Sequence, residues 1–407
     1  MNVIKIERPI YLLFAISPFL IVLNYFFNPI PVSLIKEIIQ LQVIFVLLLK
    51  LFKCKFNNFE TFYLLFLLYF LLHIITLNNI ELWLDGIRYQ LGYMIIGILL
   101  IVNRTINVEL AKLISILFYA SLPVLFIAVF EFFDSSIIDI LYGQSKYMLN
   151  HTELALGERL ISTFGNPINL GVFLTIGFVS AVFMYKEKKL NLPFFSVYVV
   201  ASFFVVLFTF SRIALISFLL VSLYLIFVGG SYIKKFILLI ACVTLFYSVS
   251  LNFENLSYLK DFNIELMLGR FFDISNSSTY VENARVQNWI IALKNIDSII
   301  FTVWGLGVGF INPNAESGGF IVENLFISIL IEFGMVGLLL YFIHILYLLR
   351  ASFKLKDNEQ IFCVSFLMVF LISGLGNDLN RNFPFVFYFW IISAAIILKY
   401  RKGLNSE

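Results

Sequence analysis

ENLFISILIEFGMVG, residues 323–337, opens an apolar run that continues to residue 346. The run has no strand-like alternation and is long enough to cross a bilayer as a helix. Positions 323 and 334 lie about three turns apart on such a helix, so Glu323, Gly334 and Gly337 are expected on one stripe. Small residues on a membrane helix let a neighbouring helix approach closely. The stripe therefore faces protein, with Glu323 at its outer mouth. Glu332 is expected to point nearly the other way, deep in the membrane, where a carboxyl needs a basic partner or a proton.

The rest of the chain repeats this pattern. Its 407 residues are 61% hydrophobic and 13% charged, with 48 Phe, a composition that would leave a soluble domain covered in apolar surface. Only helices and closed barrels satisfy the backbone inside a bilayer, and the apolar runs lack the short-period alternation of barrel strands. The expected architecture is an all-α polytopic membrane protein with about twelve spans. They are placed at 10–29, 33–50, 60–77, 87–103, 112–132, 167–185, 192–210, 213–229, 236–252, 323–346, 360–377 and 384–399. Residues 1–407 form one transmembrane domain, with a first long loop at 133–166 and a larger one at 253–322. The first run lacks a small-residue cleavage signature and reads as a retained span. Cys54, Cys242 and Cys363 are scattered and form neither a disulfide framework nor a metal motif.

Basic residues set the orientation. Lys5 and Arg8, then Lys50, Lys53 and Lys55, Lys186, Lys188 and Lys189, Lys234 and Lys235, Arg350, Lys354 and Lys356, and Lys399, Arg401 and Lys402 fall on one side when spans alternate. That side is expected to be cytoplasmic and to hold both termini. The other side carries mostly arginine: Arg88, Arg159, Arg212, Arg270, Arg285 and Arg381. Guanidinium groups hold phosphate through paired bonds, which lysine does not. An outward arginine set thus points to an anionic ligand. The alternative for each is pairing with a nearby acid or a lipid headgroup.

Several outer segments carry these residues. ERLISTFGNPINLG (158–171) puts Arg159 before a span whose first turn holds Pro167. TFSRIA (209–214) puts Arg212 in a tight turn between spans. RVQNWIIALKNI (285–296) reads as a short amphipathic surface helix. GLGVGF (305–310) lacks the lysine of a phosphate loop and reads as a chain approach ahead of the 323 helix. NDLNRNFP (377–384) puts Asp378 and Arg381 in the last outer loop. Glu323 reads either as a general base or orienting carboxylate, or as a solvated acid at a helix N-terminus. His73 and His344 read as packed or interfacial, and His151 lies in the first long loop; no metal site is expected.

Taken in order, these pieces resemble the O-antigen ligase and polymerase superfamily of bacterial surface polysaccharide assembly. The pattern is an Arg before Phe-x-Asn-Pro-Asn, here Arg159 and FGNPIN with Ile168 at the last position. A Ser-Arg pair follows, here Ser211 and Arg212. Next is Arg-x-x-x-Trp before a Gly-x-Gly loop, here Arg285, Trp289 and GLGVGF. Last is a polar residue and Asn ahead of Gly-x-x-Gly, here Glu323, Asn324, Gly334 and Gly337. Ligases that join O-antigen to lipid A core typically carry histidine where this chain has Glu323, which favours a polymerase.

The resemblance implies a metal-independent, cofactor-free glycosyltransferase with a GT-C-like fold in the bacterial inner membrane. Donor and acceptor would be undecaprenyl-pyrophosphate-linked glycans at the periplasmic face. A chain-length regulator would be a protein partner, and no nucleic-acid partner is expected. Arg159, Arg212 and Arg285 would hold the pyrophosphate, Arg381 and Arg88 a second one. Glu323 would deprotonate or orient the attacking hydroxyl, and Asn324 would orient Glu323 or a sugar. Competing readings are the ligase of the same superfamily and a lipid-linked glycan transporter or flippase.

Overall fold

A computed structural model describes residues 7–27, 33–51, 56–73, 80–103, 106, 108–142, 159–228, 284–296, 298–311 and 322–404, with backbone only at 33, 81, 82, 284 and 285. The expected span 236–252 lies outside the described residues. So do 143–158 of the first long loop, 253–283 and 312–321 of the second, and both termini. His151, Arg270, Cys54, Cys242, Lys5, Lys53, Lys55, Lys234 and Lys235 also lie outside the described residues.

The described residues contain helices and no strand. In chain order they are α1 (Glu7–Phe26), α2 (Ser33–Leu51), α3 (Asn58–Leu72), α4 (Trp83–Val102), α5 (Leu110–Phe133), α6 (Ser136–Tyr142), α7 (Pro167–Lys186), α8 (Leu192–Phe208), α9 (Arg212–Val228), α10 (Ala284–Lys294), α11 (Ile299–Trp304), α12 (Leu325–Ser352), α13 (Asp357–Gly374) and α14 (Phe385–Leu404). Every apolar run expected to span, apart from 236–252, falls on one of them. Six are long and apolar enough to cross a membrane: α1, α4, α5, α7, α12 and α13. Among the described residues the fold is all-helical, and its long apolar helices are those of a membrane protein.

The helix starts follow local chemistry. Asn57 caps α3 in a reciprocal box with Glu60. Asn166 caps α7 ahead of Pro167, and Asn191 caps α8 ahead of Pro193. In each case a side-chain oxygen takes an otherwise orphaned N–H, and proline at the first turn gives up a donor that the helix would not use.

The bundle is organised around α14, whose residues from Phe385 to Leu398 are all buried. Tyr388 meets α1 through Phe14, at 4.6 Å between rings, and through Ser17, at 2.6 Å between hydroxyls. Phe389 stacks on Phe370 of α13 at 4.2 Å. Trp390 stacks on His344 of α12 at 4.9 Å and packs against Phe66 of α3. Gly97 lets α4 lie directly against Trp390, since a Cβ there would sit 2.8 Å from the Trp390 Cβ. Around this centre α7 is buried along almost its whole length, against α5, α8, α9 and α13. Leucine and phenylalanine side chains such as Leu41, Leu48, Phe126, Leu339 and Leu346 point outward and are exposed, as lipid-facing residues would be.

Charged residues mark two ends. At one, Arg401 pairs with Glu60, Lys399 with Glu359, and the Asn358 amide donates to Glu187 at 2.7 Å. These residues belong to the segments read as the lysine-rich side. The opposite end carries the arginine-bearing turns.

Candidate functional site

Arg159 sits on a short segment that is clamped from below. The Glu131 carboxylate, buried in α5, accepts the backbone N–H of Ile161 at 2.9 Å and of Ser162 at 2.7 Å. The Ser162 hydroxyl donates to the Val124 carbonyl, and Tyr142 of α6 donates to the Ser162 carbonyl at 2.6 Å. Ser162 itself lies at φ 46°, a conformation that these bonds hold in place. From this segment Arg159 Nε donates to the Thr209 carbonyl at 2.9 Å. Leu160 N donates to the Phe208 carbonyl at 3.3 Å.

Thr209 begins the turn that leads to Arg212, the first residue of α9, whose side chain is exposed. The Ser211 hydroxyl takes the Ala214 N–H at 3.3 Å. A Cβ at Gly171 would lie 2.6 Å from the Ala214 Cβ, so the glycine is what lets α7 and α9 meet here. The segment that leads into FGNPIN and the SR turn thus form one junction, through the Arg159 side chain and the Leu160 backbone N–H.

The loop 375–384 is the wall shared by the remaining pieces. Asn377 donates to Asn169 of FGNPIN at 3.0 Å, and Asn382 donates to Asn377 at 2.7 Å. Asn324 caps α12 by accepting from Phe326 N and Ile327 N, both at 3.0 Å, while its amide donates to the Leu375 carbonyl at 2.9 Å. A Cβ at Gly376 would touch Ile213 of α9, and one at Gly374 would touch Leu325. Segments 159–169, 209–213, 324–328 and 375–384 therefore lie side by side.

The α12 stripe takes a different form from the one expected. The helix begins at Leu325, so Glu323 precedes the cap residue and is half-buried. Gly334 has φ 62° and ψ −170°, which interrupts the helix and breaks the register between the glycines and Glu323. The close approach expected of the glycines is present: a Cβ at Gly337 would lie 3.4 Å from the Tyr69 ring of α3.

The break is filled by a helical hairpin made of α11 and GLGVGF. Leu306 N donates to the Ile331 carbonyl at 2.8 Å and Gly307 N to the Glu332 carbonyl at 2.9 Å. These are carbonyls that an unbroken helix would use internally. Gly305, Gly307 and Gly309 all have positive φ, which is why glycine occupies alternate positions. Tyr69 donates to the Phe333 carbonyl at 2.7 Å, and His73 lies 2.7 Å from the Trp304 carbonyl and 2.9 Å from the Tyr69 carbonyl.

Glu332, expected as a deep acid with a basic partner, has one. Its Oε1 accepts from Arg381 at 2.7 Å and from the N–H groups of Gly309 at 2.9 Å and Ile311 at 3.4 Å. Arg381, expected at a second pyrophosphate, is committed to this buried carboxylate. Arg88, the other such candidate, pairs with Glu37 at 2.6 Å. Its neighbour Lys36 lies over the rings of Tyr89 and Phe383, so this pair borders the same loop. For these two arginines pairing with an acid is what the structure contains.

Arg285 opens α10, with only its backbone described. Trp289 and Ala292 of that helix and Ile296 just beyond it cluster with Ile311, Val322, Ile327 and Ile331 beside the start of α12, whereas Ile290 and Leu293 of the amphipathic stripe are exposed. Among the described residues no group of three or more His, Cys, Asp or Glu side chains could hold a metal ion. His344 is packed between Tyr63 and Trp390.

The sequence reading did not single out Glu131, Asn169, Asn377 or Gln90. Glu131 carried a signal, an acid within an apolar run. The asparagines lay inside motifs already quoted, but nothing in the sequence paired them. No family model matches this chain, and no curated protein matches it either.

Proposed function

We propose that this protein is a bacterial polysaccharide polymerase of O-antigen type. It is a glycosyltransferase that joins undecaprenyl-pyrophosphate-linked repeat units at the periplasmic face of the inner membrane. In this reading the chain crosses the membrane about twelve times in a GT-C-like arrangement, with both termini cytoplasmic. The observation that carries it is the meeting of FGNPIN, SR, EN and NDLNRN along the 375–384 loop, at the arginine-bearing end of the bundle.

Arg159, Arg212 and Arg285 hold the donor pyrophosphate and stabilise the charge that develops on it as the glycosidic bond to the lipid breaks. Glu323, just ahead of the α12 cap, takes the proton of the attacking hydroxyl or orients it. Asn324 fixes the chain at that point. Two lipid-linked partners confined at one membrane face supply proximity.

The test is elongation by purified protein of synthetic undecaprenyl-pyrophosphate-linked repeats. Arg212→Ala and Glu323→Gln are expected to abolish long polymer while membrane insertion stays normal. Wild-type chain lengths in both would remove the site assignment. In cells, loss of a polymerase leaves single repeat units on the core, whereas loss of a ligase leaves none. A second reading, a transporter of lipid-linked glycan, is favoured by the broken α12 beside buried Glu332, a feature common in transporters. Movement of fluorescent lipid-linked glycan without elongation would select it.

A further inference from the structure

A buried polar cluster lies inward of this site, where α4, α12 and the 375–384 loop meet. Glu332 is fully buried, and Gln90, Asp378 and Asn380 are at least nine-tenths buried. Several of their atoms have no partner at hydrogen-bond distance among the described residues: Glu332 Oε2, Asp378 Oδ2, Asn380 Oδ1, and the Gln90 amide. The Gln90 amide faces the Glu332 carboxylate. Asp378 faces Ser328 and Arg381, lies within reach of the Glu332 charge, and accepts the Asn380 N–H at 3.3 Å. Tyr341 of α12 is the other titratable group that feels Asp378.

Buried polar atoms in native proteins are almost always satisfied, and here the shortage is of donors, since most of the orphans are oxygens. The formal charges agree with that shortage. Two carboxylates share one guanidinium, which leaves one negative charge uncompensated in a buried place. Arg381 is already committed to Glu332. The backbone also departs from regular helix on two sides of the cluster. Gln90 sits in a π-helical turn, Ile87–Leu91, an irregularity found often at functional sites, and Glu332 lies two residues before the break at Gly334.

We propose that Gln90, Glu332, Asp378 and Asn380, gathered beside Arg381, form a binding site for one monovalent cation, a proton or a sodium ion. The cation supplies the missing unit of positive charge. As a proton it resides on Asp378, because Glu332 already has Arg381 and two backbone N–H groups. As a sodium ion it takes the unpartnered oxygens, a hard oxygen donor set of the kind that light cations prefer. Burial pushes the Asp378 carboxyl up to about 7, against the opposing pull of Arg381 and Ser328, so occupancy by a proton changes within the physiological range. The site stands apart from the glycosyl-transfer reading and holds for a transporter equally.

The experiment is thermal unfolding of the detergent-purified full chain. It is run from about pH 5.5 to about pH 8.5, with sodium exchanged for choline at constant ionic strength. A folded-state value raised above the unfolded one means stability that is full below the ordinary carboxyl range and lost as pH rises through about 7. A proton site predicts a midpoint that falls over that interval and ignores sodium. A sodium site predicts a midpoint at the alkaline end that rises with sodium. Either supports the proposal if Asp378→Asn flattens the dependence. Glu332→Gln provides a second variant: it frees Arg381 to pair with Asp378 and moves the proton transition to lower pH, or removes the sodium effect. A wild-type midpoint indifferent to both, or a dependence unchanged in both variants, overturns the proposal.

Discussion

Gly334→Ala is the substitution that most directly tests how α12 is built. The added Cβ would lie 2.3 Å from the Val303 carbonyl oxygen and 2.6 Å from Gly305 N, whereas ordinary contact begins at 3.4 Å. Both obstacles are backbone, so no rotamer change relieves them, and the hairpin must retreat by roughly 1 Å, comparable to the margin that separates a good hydrogen bond from none. Retreat weakens the bonds from Leu306 N and Gly307 N to the α12 carbonyls and from Gly309 N to Glu332. Each neutral bond contributes about 0.5–1.5 kcal/mol, and the one to the carboxylate about 1.5–3. The Gly334 backbone lies in a region that only glycine adopts readily, which adds about 1–3 kcal/mol. Because the bonds lengthen without all being lost, the expected total lies toward the lower end of these contributions, about 3.5–5 kcal/mol, above the usual range for single substitutions.

Gly305→Ala makes the reciprocal clash, at 2.4 Å from the Glu332 carbonyl oxygen and 2.5 Å from Gly334 N. Once one methyl has forced the hairpin away, the second has little left to displace. The double variant should therefore cost less than the sum of the singles, by at least about 1 kcal/mol. Unfolding of the purified protein measures all three, with Gly403→Ala as the control, since nothing lies within 4 Å of that position. Wild-type stability in Gly334→Ala, or strict additivity in the pair, would refute the account of the break as a seat for the glycine loop.

Arg381→Ala should destabilise by about 3–5 kcal/mol, because it strands a buried carboxylate, while Arg381→Met combined with Glu332→Leu should recover much of that loss; unfolding midpoints compare them. Glu131→Gln replaces an acceptor of two backbone N–H groups with one that also carries an NH2, at a cost of about 1–3 kcal/mol. Because Arg159 rides on the segment that Glu131 holds, the KM for lipid-linked substrate in the elongation assay should rise as well. Arg401→Ala, which removes the cation paired with Glu60 at the opposite end, should lower the midpoint and leave that KM unchanged.

The helices were legible because apolar runs and first-turn prolines are local signals. Pro167 marked the first turn of α7 without reference to any distant residue. Glu332 was legible for a similar reason: an acid inside an apolar helix requires a partner, and Arg381 supplies it. The expected stripe of Glu323, Gly334 and Gly337 assumed an unbroken helix. Periodicity does not register that Gly334 leaves helical φ/ψ, because the cause is GLGVGF, a segment outside the helix that replaces its internal bonds. The contact between Asn169 and Asn377 is a fact of topology, visible only once α7 and the last loop stand together. The guanidinium of Arg88 could be read from sequence, but not that Glu37 occupies it.

Burial of α14 on all sides has a consequence for biosynthesis. Ribosomes deliver this helix after the others, yet Tyr388, Phe389 and Trp390 are the surfaces on which α1, α3, α12 and α13 converge. Until it arrives, the faces that those helices present to α14 have only lipid or one another to cover them. Insertion of α14 displaces that cover and brings the 375–384 loop into place at its leading end. The polar site therefore forms only once α14 is in place, and a nascent chain stalled before it would lack the site.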